Sequence, residues 1–348
     1  MTLDEIFEGA VALKASDVHL ANGLPAFFRV DGILRPIQNW PIFDHETILK
    51  LAEPIMTPAQ KEVLLKKKNL DLSYQIKNNI RFRINVFWEK GHLALAARVI
   101  QPTIASMEEI GLPPVAHQLI QLQDGLVLVT GPTGCGKSTT LAAMIERINT
   151  ERACHIITLE DPIEFVFTSK KSLIAQRELG QDMTSFDSAL KHIVRQNPDV
   201  IFVGEMRDLE TIGLAITLAE TGHLILATLH TTNAPQTIDR IIDVFPPHQQ
   251  NQVRLQIALA LRGIISQHLL PKIGGGRVAA REVLINNPAV ANLIRENKIA
   301  QIKSCIQTGG KEGMCTLEDG LKKLYREKVI TLDTALAHAT YPEELLKE

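Results

Sequence analysis

Gly131, Gly134, Gly136, Lys137 and Ser138 stand together in the segment GPTGCGKST, Gly131 to Thr139. Glycine reaches backbone conformations closed to residues with a Cβ, so successive N–H groups in such a turn can face one anion. The apolar run Leu126 to Thr130 before it reads as a strand, and Lys137 to Asn149 after it as an amphipathic helix. Between a strand and a helix, G-x-x-x-x-G-K-[ST] is a phosphate-binding loop. The helix start adds its positive end to the site. Lys137 is expected at the β and γ phosphates of a nucleotide, the Ser138 hydroxyl on a magnesium ion bridging them, and Thr139 beside the α phosphate. Pro132, Thr133 and Cys135 complete the loop, and the expected cofactors are ATP and Mg2+. A thiol beside Lys137 at a helix start is expected to favour thiolate and react; the alternative is a small filler in place of serine.

Hydrolysis requires a group that orients or deprotonates water, and carboxylates for the hydrated metal. In open parallel sheets such groups follow the carboxyl ends of the strands. Ile156 to Leu159 is followed by Glu160, Asp161 and Glu164, and Val200 to Val203 by Gly204, Glu205, Met206, Arg207 and Asp208. Leu224 to Leu229 is bracketed by His223 and His230. Glu205 is the candidate for the water. Gly204 occupies the position where aspartate ordinarily holds the metal, so Glu160, Asp161 and Glu164 are the candidates for that task, with helix capping as the alternative. The two histidines are not spaced as metal ligands on one element, and a core role is the alternative for His223.

These residues need a parallel sheet, and the chain from Val115 onward provides the pattern. Strands are expected at Leu126 to Thr130, His155 to Leu159, Val200 to Val203, His223 to Leu229 and Val278 to Ile285. Helices are expected at Lys137 to Asn149, Ser185 to Arg195, Leu209 to Thr221 and Gln249 to Leu270, with three or four short helical pieces after Pro288. Alternating strands and helices mean a parallel sheet covered on both faces.

Residues 1–100 read as a smaller α/β domain, with 101–114, bounded by Gln101-Pro102 and Pro113-Pro114, as a linker to the domain 115–348. Hairpins are expected at Asp31-Gly32 and Asn78-Asn79, helices at His45 to Glu53 and Pro58 to Lys68, and a further strand at His92 to Ile100. Alternation puts Arg81, Arg83 and Arg98 opposite the apolar row, as one cationic face or as ordinary solvated residues.

At 348 residues and 45% apolar composition the chain has material for about two domains. Lys plus Arg is 37 against 39 for Asp plus Glu, with no basic block, which argues against a nucleic-acid partner. The opening MTLDEIFEGAV has acids where a signal peptide needs bases, and no apolar run reaches membrane-spanning length, so a cytoplasmic location is expected. Cys135, Cys154, Cys305 and Cys315 form no C-x-x-C pair and are expected as reduced thiols.

GPTGCGKST, ITLEDPIEF, PDVIFVGEMRD and TGHLILATLHTT, in this order, resemble the Walker A, aspartate box, atypical Walker B and histidine box of the secretion and type IV pilus ATPases. ASDVHL, PAFFRVDGIL and RFRINVF are similar to that family's N-terminal module, so the likeness runs nearly end to end. The tetracysteine insert and extra N-terminal domain common in assembly and type II secretion members are not found, which makes the sequence most similar to the retraction subgroup. The resemblance implies a PAS-like α/β domain followed by a RecA-like ATPase core. It implies a homo-hexamer, peripheral at the cytoplasmic face of the inner membrane on a platform protein of the pilus machinery, driving pilus retraction and twitching motility by ATP hydrolysis. It implies that Glu205 is the catalytic carboxylate and that Glu160 and Glu164 belong to the metal and water network. His230 would sense the γ phosphate, Arg81, Arg83 and Arg98 would meet the phosphates, and His223 would join the nucleotide set. PAVANLIRE, Pro288 to Glu296, is close to a helix reading AIRNLIRE that the subgroup associates with retraction, departing at Val290 and Ala291. Ala289, Leu293 and Glu296 would share one side and Asn292 and Arg295 another. The alternatives are a pilus-assembly or secretion ATPase, a RecA-like nucleic-acid translocase, and a non-hydrolysing scaffold.

Overall fold

Apolar residues at every second position give Phe82, Ile84 and Val86 one side of a strand and Arg81, Arg83 and Asn85 the other, and the first unit of the fold is built on that division. The computed structural model describes residues 1–348 except 31, 39, 77–79, 101–102 and 346–348. The chain divides into two units, Met1–Thr103 with Pro162–Val166, and Ile104–Asp161 with Phe167–Glu348.

The first unit runs α1 (Leu3–Ala12), β1 (Asp17–Leu20), β2 (Phe27–Val30), β3 (Ile33–Pro36), α2 (His45–Ala52), α3 (Pro58–Lys67), β4 (Asn69–Gln75), β5 (Arg81–Glu89) and β6 (His92–Ile100). Its strands form an antiparallel sheet in the order β3-β2-β1-β6-β5-β4. Ile6 and Phe7 of α1, Ile48 of α2 and Leu64 of α3 share a core with Val18, Phe28, Phe82 and Ile84, and Phe7 stacks on Phe82 at 4.0 Å. The helices start where side chains satisfy their free N–H groups: Thr2 and Thr57 with capping boxes, and Asp44 accepting from the Thr47 N–H. Lys68 ends α3 in a left-handed conformation. Gly32 takes a positive φ as the first hairpin requires; Asp31, Asn78 and Asn79 lie outside the described residues.

The second unit runs α4 (Val115–Gln121), β7 (Gly125–Thr130), α5 (Lys137–Glu151), β8 (His155–Glu160), β9 (Leu173–Glu178), α6 (Phe186–Ile193), β10 (Val200–Val203), α7 (Leu209–Glu220), β11 (Leu224–Leu229), α8 (Ala234–Asp243), α9 (Pro247–Ala260), β12 (Leu261–Pro271) and β13 (Arg277–Ile285). α10 (Pro288–Arg295), α11 (Ile302–Thr308), α12 (Leu317–Arg326), α13 (Leu332–His338) and α14 (Pro342–Leu345) follow. The sheet order is β13-β12-β7-β11-β10-β8-β9, with only the β12–β13 pair antiparallel, which is the expected parallel core. β7 and β11 are buried along their whole length between two apolar clusters, one on each face.

The helix expected over Gln249 to Leu270 ends at Ala260, and the rest is β12. A strand buried on both faces is almost continuously apolar, so its periodicity does not separate it from a buried helix; Gly263 and the β-branched pair Ile264-Ile265 were the local sign. Residues 104–114, expected within a linker, belong to the second unit, where Met107 and Leu112 pack with Leu141, Met144 and Ile148; Gln101 and Pro102 lie outside the described residues. On α10 the inward stripe is Val290 and Ile294, with Ala289 and Glu296 exposed.

Candidate active site

The phosphate loop follows β7 directly. Gly131, Gly134 and Gly136 have φ of +143°, +79° and +91°, each in the range that favours glycine. Gly136 occupies the N-cap position of α5 and no side chain caps that helix, so its first N–H groups stay available to an anion. Ser138 and Thr139 are half-buried in its first turn. Lys137 is buried, and its Nζ donates to the Gly131 carbonyl at 2.8 Å and the Pro132 carbonyl at 3.2 Å. The same Nζ lies 3.4 Å from His230 Nδ1, and Thr133 Oγ1 lies 3.5 Å from it.

His230 follows β11, and its other nitrogen reaches the carboxylate that follows β10: Nε2 to Glu205 Oε1 is 3.1 Å. A lysine ammonium only donates, so Nδ1 accepts from Lys137 and Nε2 carries the proton toward Glu205. Arg207 Nη2 holds the second oxygen, Oε2, at 2.7 Å. Burial pushes the Glu205 carboxyl up, but the hydrogen bonds from Arg207 and His230 and the Arg207 charge outweigh it and hold it below its ordinary value. Glu205 therefore remains a carboxylate, poised to accept a proton or a water hydrogen bond. Lys137, His230, Glu205 and Arg207 form one continuous chain from the loop to the end of β10.

The glycine before Glu205 has a steric cause. A Cβ at Gly204 would lie 3.1 Å from the Leu159 carbonyl oxygen and 3.4 Å from the Glu160 Cα, so an aspartate there would press on the end of β8. Glu160 closes that strand, buried, with Oε1 accepting from Thr158 Oγ1 at 2.7 Å and Gln176 Nε2 at 3.1 Å. Asp161 follows it, exposed. Among the described residues no group of three or more His, Cys, Asp or Glu side chains forms a metal cage. Magnesium keeps several waters and is held by one or two carboxylates plus phosphate oxygens, so Ser138, Glu160 and Asp161 are a fitting donor set.

Other expected residues fall elsewhere. His223 precedes β11 at the end opposite the loop, since Leu224 pairs with Gly125 and Leu229 with Thr130; a strand's length separates it from the phosphate cradle of its own chain. Its Nδ1 bonds the Leu218 carbonyl at 3.1 Å, which is the role of a helix-end histidine and corrects its inclusion in the nucleotide set. Glu164 groups with the first unit. Cys135 is buried, and burial pushes its thiol up against the opposing pull of Lys137, so the expectation of a reactive thiolate is overturned and the filler reading stands. Arg207 was missed as a site residue although it stands two residues past Glu205. Gln267 gives no signal in the sequence, because the apolar run of its strand, β12, is equally that of a buried helix.

In the first unit the register Arg29↔Asp17↔Arg98↔Arg83↔Ser73 runs across the sheet on the face opposite the apolar core. Asp17 Oδ1 meets Arg98 Nε at 2.8 Å and Asp17 Oδ2 meets Arg29 Nε at 3.5 Å. Arg83 is exposed, and no carboxylate pairs with it among the described residues. Arg81, two residues away, donates to Ser73 Oγ at 2.7 Å.

Residues 1–311 match the model of the Type II/IV secretion system protein family. The chain is 47% identical over 343 residues to the type IV pilus retraction ATPase PilT of Pseudomonas aeruginosa, covering 99% of each. It is 48% identical to a twitching motility protein of Neisseria gonorrhoeae over 91% of this chain and 85% of that one. A crystal structure of the pilus retraction motor PilT with bound ADP superposes with a TM-score of 0.93, at 47% identity and 99% coverage of both chains. A phosphate loop, a carboxylate at the end of β10 and a match over nearly the whole length lead to one conclusion: the chain belongs to the type II/IV secretion ATPase family.

Proposed function

We infer that this chain is the ATP-hydrolysing motor that powers retraction of type IV pili, and the observation that carries the catalytic part is the chain Lys137–His230–Glu205–Arg207. The loop N–H groups and the start of α5 bind the phosphates, and Lys137 exchanges its carbonyl contacts for the β and γ oxygens. Loss of the Lys137 contact frees His230 Nδ1, which can donate to a γ phosphate oxygen only when it too carries a proton, while Nε2 keeps Glu205 in place. Glu205 then orients the attacking water and takes its proton. Magnesium, held by Ser138 and through Glu160 and Asp161, would neutralise the developing charge on the phosphate oxygens. Glu164 belongs to the same water network on family grounds.

Arg83 and Arg98, with Arg81 beside them, supply further positive charge to the phosphates in a homo-hexameric ring. That ring works at the cytoplasmic face of the inner membrane on a platform protein of the pilus machinery; no helix among the described residues is long and apolar enough to cross a membrane. Glu205→Gln should keep nucleotide binding while lowering turnover by about 10²-fold or more, because only the proton acceptor is lost. Cells carrying that variant should keep surface pili and lose twitching. Full turnover would move the base elsewhere, and loss of pili would make the motor an assembly ATPase.

A further inference from the structure

Gln267 closes a contact between β12 and the phosphate loop that neither the lysine nor the glycines provide. It stands one residue past Ser266, the last β12 residue paired with β7, and Ser266 Oγ bonds Thr130 Oγ1 at 2.8 Å immediately before the loop. Gln267 is 1% exposed, and both ends of its amide are engaged. Nε2 donates to the Cys135 carbonyl at 2.8 Å, and Oε1 accepts from Thr140 Oγ1 at 2.9 Å. A backbone carbonyl only accepts, so the amide is fixed with nitrogen toward Cys135, and the Thr140 hydroxyl must then be the donor.

This bond determines where a neighbouring N–H points. In a trans peptide the carbonyl and the following N–H are directed oppositely, so drawing the Cys135 carbonyl toward β12 turns the Gly136 N–H away from β12. The loop is also pressed against the same residue. A Cβ at Gly131 would come within 2.4 Å of the Gln267 carbonyl oxygen, and one at Gly136 within 3.3 Å of Nε2. We propose that Gln267 is a positioning residue for nucleotide binding, aiming the Cys135–Gly136 peptide at the phosphates by holding the loop to α5 and β12. It touches neither nucleotide nor water and acts through the backbone it orients.

Three substitutions separate the donor from the acceptor. Gln267→Met keeps length and apolar fit with neither bond, and Gln267→Glu keeps the acceptor for Thr140 but offers no donor to Cys135 while ionised. Direct ADP titration of the full chain should give a Kd raised roughly tenfold in each at pH 8, the size of one lost buried hydrogen bond. KM for ATP should rise by more than kcat falls. Protonation gives the carboxyl introduced by Gln267→Glu an O–H that can again donate to Cys135, so the affinity of that variant relative to wild type at the same pH should recover as pH falls. Thr140→Val removes only the Oε1 partner and should cost less than Gln267→Met. Wild-type affinity in Gln267→Met overturns the proposal, as does a Gln267→Glu defect that stays constant relative to wild type from pH 8 to pH 6. Equal losses in Gln267→Met and Thr140→Val would also overturn it, because they would make the pair packing rather than an aim for the peptide.

Discussion

At the strand ends of the second unit, Lys137, Glu205 and Arg207 each meet partners within 3.2 Å. Across the open sheet face of the first unit, Arg29, Arg98 and Arg83 share one carboxylate, Asp17, among the described residues. Glu205, held on both oxygens, is already oriented, whereas Lys137 must exchange its carbonyl contacts before it can meet a phosphate. The row in the first unit is the reverse case. Arg83 and Arg98 are Cα partners on adjacent antiparallel strands, an arrangement in which like charges oppose folding by several tenths of a kcal/mol. Asp17 shows how strongly the row pulls on an anion: burial raises its carboxyl, yet the Ser16 and Arg98 hydrogen bonds and the nearby guanidiniums hold it below its usual value. One region is organised in advance and the other holds spare positive charge.

Replacing Arg83 and Arg98 together by alanine is the strongest test of that contrast. If the spare charge serves phosphate, turnover per assembled protein should fall by up to roughly 10³-fold, the range of an arginine finger. Arg83→Ala alone should leave the melting temperature level or slightly higher, since it removes a like-charge pair and breaks no ion pair. Unchanged turnover in the double variant would reduce the row to solvated surface.

The sequence made the loop, Glu205 and the arginine face legible for physical reasons particular to each. The loop is a local pattern, its three glycines needed by three positive φ angles. The arginines follow from period two in β5 and β6, which one buried face enforces. What stayed hidden depended on contacts distant in sequence. Gln267 braces Cys135 across 132 positions, and its strand offered no alternation to mark it. The thiol of Cys135 was misjudged because local charge was visible and burial was not. His223 looked like a site residue because a strand's direction is not written at its first residue.

Glu282 tests whether charge in the second unit is always well accommodated. It lies on β13, and Oε1 accepts from the Ala234 N–H at the start of α8 at 2.7 Å. Burial raises its carboxyl to about 7 from 4.5; the Ala234 bond opposes this, Glu318 adds to it, and Lys303 offsets part. The folded state thus keeps a proton that the unfolded chain releases, and the associated stability is present below about 4.5 and lost as pH rises toward about 7. The loss is at most about 3 kcal/mol, from 1.36 kcal/mol per unit. Glu282→Gln keeps the acceptor for Ala234 without the ionisation, so it should raise the melting temperature at pH 8 and change it little at pH 5. An equal shift at both values would show that ionisation is not what this position costs.

Helix α10 fits neither side of the comparison, and the smallest effect on turnover is expected there. Val290 and Ile294 are fully buried, while on the exposed side Arg295 Nη2 donates to Asn292 Oδ1 at 3.4 Å and Asn292 Nδ2 to Glu296 Oε1 at 3.0 Å. These polar groups bond one another along the helix and its C-cap, where Lys298 Nζ also meets Glu296 Oε2 at 2.7 Å, and the pair is remote in sequence from the loop. The resemblance to the retraction subgroup implies a part in mechanical output rather than hydrolysis for this helix, and the exposed pair tests that implication. Asn292→Ala with Arg295→Ala should therefore leave ATPase activity and assembly near wild type, since exposed pairs of this kind contribute only a few tenths of a kcal/mol. Twitching should nevertheless be lost in cells. Ile294→Ala supplies the contrast: it opens a cavity costing about 2–5 kcal/mol and should lower stability, turnover and twitching together. If the exposed double variant behaved like Ile294→Ala, α10 would be a packing element, and mechanical output would have to leave the protein through another surface.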